Sequence, residues 1–169
     1  FDNSPYLETV VKHHTSGRLK VAPEHTEDHV LNLMRKPSFA LFERLNSRFH
    51  QICRRNELKY QLIPYFISSH PGCTERDMQN LASKVLGKLN FNLEQVQDLT
   101  PTPMTLSSVM FYMGENPYTG EKVYVARSQD DKRKQKSYFF GGKLPEAQPK
   151  GRAEVHKSQR RGSSPNRPN

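Results

Sequence analysis

Two histidines, His25 and His70, each come within three residues of the end of a short apolar run, and each is flanked by groups that can hold or move a proton. An imidazole titrates near neutrality, so either ring can act as a ligand or proton carrier; the competing reading is a ring that bonds only to neighbouring backbone. Glu24 precedes His25 and puts a carboxylate at the end of a buried run. Such a group needs a partner, either a ligand or a structural ion pair with Lys20 or an arginine. Ser68 and Ser69 precede His70, and Pro71 and Gly72 follow it, where proline fixes one dihedral and glycine permits a positive φ. A third polar exit carries Gln97, Asp98 and Pro101-Thr102-Pro103, a segment suited to be a rigid strand exit and a site wall. His13 and His14 are adjacent, lie on different sides of a helix and make a poor metal pair. Cys53 and Cys73 lack the second nearby thiol that a zinc knuckle or a redox pair requires, so both are expected as free thiols and no metal ligands are assigned.

The elements that must position these groups alternate in type. Leu19, Val21 and Ala22 read as a short strand, followed by a polar turn and a helix for which Thr26 is a plausible cap and Val30, Leu33 and Met34 an apolar stripe. Leu41, Phe42, Leu45, Phe49, Ile52 and Cys53 recur at helical spacing after Ser38. Tyr60 to Ile67 is a strand buried on both faces, and Thr74 with Asp77 three residues on is a shortened capping box opening a helix through Met78, Leu81, Val85 and Leu86. Leu93 to Thr100 is a third strand. Strands separated by helices, each ending in polar residues, predict consecutive units of a parallel α/β barrel or open sheet, with the site at the carboxyl ends of the strands. Three strands cannot close a barrel. Pro5 to His14 reads as a further short helix, Val123 to Ala126 as a short strand, and Asp130 to Lys136 as a charged run ahead of the aromatic cluster at residues 138–140.

Composition divides the chain of 169 residues unevenly. Residues 127–169 hold twelve Lys and Arg against four Asp and Glu, so nearly all of the net charge of +9 lies there. The expected organisation is an α/β portion over 1–112, a small irregular extension over 113–140 and a disordered basic tail over 141–169. The tail can neutralise phosphates and make weak, salt-sensitive nucleic-acid contacts, or be a solvated terminus with no partner; its few aromatics argue against base stacking. No apolar run is long enough to span a bilayer, so no membrane association and a cytoplasmic protein are expected. Phe1 rather than Met at the start suggests a piece of a longer protein.

LKVAPEHTEDHVLNLMRKP (19–37), YQLIPYFISSHPGCTERDM (60–78) and LEQVQDLTPTPMTLSSVMFYMG (93–114) resemble, in this order, the second half of the YgiQ family of radical S-adenosylmethionine proteins. The first two also resemble the strand and helix pairs of methylthiotransferase-type radical enzymes. The resemblance implies the carboxyl-terminal half of a partial (β/α) barrel that binds S-adenosylmethionine on a [4Fe-4S] cluster and cleaves it to a 5′-deoxyadenosyl radical. It also implies that the Cys-x3-Cys-x2-Cys loop holding the cluster lies in the missing amino-terminal half, a partner without which this piece is inactive. On that reading Glu24, Ser68, Ser69, Gly72 and Gln97 face the cofactor. Lys20, His25, His70, Asp98 and Thr102 face a substrate that the family does not specify. The competing reading is a non-enzymatic nucleic-acid or ribosome-binding module that acts through the tail.

Overall fold

The structure is a computed structural model and describes residues 5–140 apart from Asn90, Asn92, Glu94 and Gln95. Three strands, β1 (Arg18–Glu24), β2 (Gln61–Ser68) and β3 (Val96–Asp98), form one open sheet in chain order. Both pairings are parallel, with Leu19 opposite Leu62, Lys20 opposite Ile63 and Phe66 opposite Val96. Parallel neighbours need a long crossover. The first is supplied by α2 (Asp28–Leu33) and α3 (Phe39–Arg55), the second by α4 (Glu75–Ala82), which continues as one π-helical turn, Ser83–Lys88. The expected mixed α/β architecture is therefore present as a small open parallel sheet.

Alternation along the strands decides what each face meets. Leu19, Val21, Leu62, Phe66 and Val96 share a phase and join one core with Phe39, Phe42, Phe49 and Ile52 of α3 and Met78, Leu81 and Val85 of α4 and its extension. Both crossovers thus cover the same side of the sheet. Each fully buried phenylalanine there contributes on the order of 2–3 kcal/mol of apolar transfer. The opposite phase carries Lys20, Ile63, Tyr65, Ile67 and Gln97, of which Lys20 and Gln97 are exposed. Lys20 Nζ lies 5.6 Å from the centre of the Tyr65 ring on that side.

Local chemistry explains most boundaries. Ser38 caps α3 by accepting from Ala40 N, and Thr74 with Asp77 forms a complete capping box at α4. Helix α1 (Tyr6–His13) packs on α3 through Leu7 and Val11, as its stripe predicts. Three expectations differ from what is seen, and one stretch for which none was made is a helix. Thr26 is not the cap of α2; Glu27 occupies that position, because the His25 ring takes the Glu27 amide and draws the turn inward. The polar segment after β3 leads into a helix, α5 (Leu106–Met113), opened by Thr105 and ended by Gly114 in the left-handed region. Val123 to Ala126 is not a strand; the nearest pairing is a single antiparallel bridge between Glu115 and Lys122. The charged run is a helix, α6 (Gln129–Ser137), capped by Ser128. Phe139 is buried beyond it, with Tyr138 and Phe140 packed on the same core. The tail over 141–169 lies outside the described residues.

Candidate functional site

The carboxyl ends of the three strands form one polar rim. Ser68 Oγ donates to Asp98 Oδ1 at 2.7 Å, and Lys136 Nζ of α6 reaches Asp98 Oδ2 at 2.6 Å. Asp98 therefore has a hydroxyl and a cation as partners, on the helix-covered side of the sheet. Ser69 is next, with φ of 62° and only 1% of its surface exposed. Its amide donates to Gln135 Oε1 at 2.8 Å, and Gln135 Nε2 donates to the Cys73 carbonyl at 3.1 Å. One buried side-chain amide from α6 thus closes the whole turn from β2 to α4. The Ser69 hydroxyl, in contrast, is buried with no hydrogen-bond partner among the described residues. Gly72 has φ of 88°, and a Cβ there would run into Leu33 of α2.

The two histidines differ in which nitrogen carries the proton. His25, fully buried, accepts the Glu27 amide at Nδ1 (3.0 Å), so its hydrogen is on Nε2, which faces Cys73 Sγ at 3.4 Å. Burial, the largest influence, holds this imidazole down at about 4, and the same burial pushes the Cys73 thiol up to about 12. The pair is a neutral ring donating to a neutral thiol. His70, also buried, has Nδ1 2.8 Å from the Pro71 carbonyl, which can only accept, so its hydrogen is on Nδ1. Its Nε2 lone pair then takes the hydroxyl of Ser107 at 2.8 Å. Burial lowers this imidazole as well.

The acidic groups are largely occupied. Glu24 bonds Lys36 at 3.1 Å rather than Lys20 or an arginine, and its φ is 69°. Glu27, His29 and Asp77 offer three ligand atoms within 4.8 Å of one another. Asp77 Oδ2, however, already accepts from the Thr74 amide and hydroxyl at 2.7 Å each, so it acts first as a helix cap. Burial works to raise the Asp77 carboxyl, and the Thr74 hydrogen bonds with nearby His29 outweigh it, leaving the group below the usual carboxylate range. Gln97 and Lys20 stand on the open face of the sheet, away from Ser68 and Asp98. Thr102 is exposed, and its carbonyl receives the hydroxyls of Thr105 and Ser108.

Among the described residues five non-glycine residues lie in the left-handed region, and two of them, Glu24 and Ser69, stand at the carboxyl ends of β1 and β2. Such positions cost roughly 1 kcal/mol or more and concentrate where function retains them. Sequence reasoning had pointed to Ser68, Ser69, Gly72 and His70, which the structure gathers in one turn. It missed Gln135, Lys136 and Ser107. The available signal for Gln135 was that it alone is uncharged within Asp130 to Lys136.

A parallel sheet whose strand ends carry the polar residues Glu24, Ser68 and Asp98, with Ser69 buried beside them, defines a mixed α/β protein with its candidate site on one rim. The comparisons add what the chain is similar to. A UPF0313 protein of Porphyromonas gingivalis is 54% identical over 152 residues, covering 90% of this chain and 24% of its own. A UPF0313 protein of Bacteroides thetaiotaomicron is 54% identical over 135 residues, 80% of this chain and 22% of its own. One from the archaeon Methanocella arvoryzae is 45% identical over 128 residues, 76% and 21% respectively. The chain is a homologue of the UPF0313 proteins, and it spans about a quarter of the length of these relatives. Residues 94–140, which include β3, α5 and α6, match a family described as a domain of unknown function, DUF3362. No solved structure matches the chain.

Proposed function

We propose that this chain supplies cofactor- and substrate-facing strand ends to a radical S-adenosylmethionine protein whose iron ligands lie outside its sequence. The observation that carries the reading is Ser69, whose hydroxyl is buried and unpartnered on a strained backbone at the rim. A buried hydroxyl without a partner costs on the order of 1–3 kcal/mol, which a ligand hydroxyl, carboxylate or ammonium would offset. Ser69 and the exposed Gln97 fit a ligand as rich in such groups as S-adenosylmethionine, whereas Glu24 is held by Lys36 and Asp98 by Lys136. When bound, that cofactor with a reduced iron–sulfur cluster supplies radical chemistry; this chain's part is to bind and orient. Cluster iron requires thiolates. Cys53 and Cys73 are both buried, both raised in pKa by that burial, and on different elements, so neither suits the role. The comparisons do not favour the nucleic-acid-binding alternative.

The test is S-adenosylmethionine binding by calorimetry to the full-length protein with its cluster reconstituted. Ser69→Gly, which keeps the backbone conformation, is expected to weaken binding about tenfold, the equivalent of one lost hydrogen bond. Unchanged affinity in that variant, or no binding by the parent, would refute the assignment.

A further inference from the structure

We propose that Ser107 and His70 form a nucleophile and base pair that transfers acyl groups from uncharged carboxylic esters. The contrast between the two rim histidines carries the argument. His25 presents a hydrogen to Cys73, so it cannot take a proton from that thiol. His70 presents a lone pair to Ser107 Oγ at 2.8 Å, because its other nitrogen is committed to the Pro71 carbonyl at 2.8 Å. That carbonyl stands where many hydrolases place a carboxylate, fixing the tautomer and ring orientation and giving the imidazolium a dipole to face. A neutral buried His70 is in the protonation state a general base requires.

Ser107 is placed for attack. It is the second residue of α5, whose cap is Thr105, and it is half-buried where His70 is closed off from solvent. The first-turn amides of a helix have no intrahelical acceptor, so those of Leu106 and Ser107 are available to an oxyanion beside the nucleophile. The neighbouring Met104 is fully exposed and apolar, which suits an uncharged acyl group. In the first step the Ser107 oxygen bonds the ester carbonyl carbon and its proton passes to His70 Nε2. The carbon–oxygen bond to the alcohol then breaks, and that alcohol leaves with the proton from His70. Water repeats the sequence on the acyl-serine, giving up a proton to His70, which returns it to Ser107 as the acid departs. No oxidant, metal or nucleotide is needed, so the inference stands apart from the S-adenosylmethionine reading.

The test is labelling of the full-length native protein with a short-chain alkyl fluorophosphonate, the adduct being located by peptide mass spectrometry. The expected result is an adduct on Ser107 that Ser107→Ala removes and that forms roughly 100-fold more slowly in His70→Gln. Because His70 is buried, His70→Gln is judged only if its circular dichroism matches the parent. If it does not fold, the parent in its native state is compared with the parent in urea, where loss of the base should abolish the labelling. No adduct on Ser107 in the native parent would overturn the proposal, as would equal rates in folded His70→Gln or in the unfolded chain.

Discussion

At the scale of single residues, buried titratable groups set the pH range over which the fold is stable. His25 is held at about 4 in the native state against an ordinary 6.5, so the unfolded chain takes up the proton first on acidification. Stability should be full above the ordinary value and fall as pH drops towards 4, by about 3 kcal/mol in all, with His70 adding in the same direction. Cys73 gives the opposite limb: its thiol is raised from 9.0 to about 12, so stability should decline as pH rises through that interval. Urea denaturation across the pH range should show a plateau between the two limbs; a flat acid limb in the parent would show that His25 is not buried neutral. Ser69 makes a separate prediction. Ser69→Gly relieves a left-handed backbone and removes an orphaned hydroxyl, so its melting temperature should rise, by the equivalent of about 1 kcal/mol. An unchanged or lower melting temperature would show that the Ser69 hydroxyl and backbone are not strained in the fold.

At the scale of elements, the sequence revealed those whose apolar spacing is strong and hid those held by polar contacts. The stripe from Leu41 to Cys53, the run Tyr60 to Ile67 and the Thr74–Asp77 cap each state their structure locally, and all three appear at the expected places. Thr74→Ala should cost about 1 kcal/mol through loss of that cap, measured as a shift in denaturation midpoint. Helix α6 carries no apolar stripe; Gln135 is its buried residue, and the helix is held by Lys134 to Glu75, Lys136 to Asp98 and Tyr138 to Glu75. Those partners lie far back in sequence, so a reader of local periodicity sees only charge. Gln135→Leu strands the Ser69 amide and the Cys73 carbonyl in the interior and should cost about 2–4 kcal/mol. A variant as stable as the parent in chemical denaturation would show that the clasp contributes nothing. The site divides the same way: Ser68, Ser69 and His70 were legible as a polar strand exit, but the Ser107 partner required tertiary contact across 37 positions.

At the scale of the whole molecule, β2 lies between two neighbours while β1 and β3 each leave an edge unpaired among the described residues. Hydrogen exchange should therefore be slowest in β2 and faster in β1, and the reverse order would contradict the sheet as described. The order of strands in the sheet is also their order in the chain, and the helix that fastens the rim comes last of all the described elements. During synthesis each strand can find its neighbour as soon as it leaves the ribosome. The loop around Ser69 and Cys73 must wait some sixty residues longer for the glutamine that secures it. A nascent chain released before that point would carry a formed sheet and an unfinished rim, so translation itself delays the site until the chain has been read nearly to Phe140.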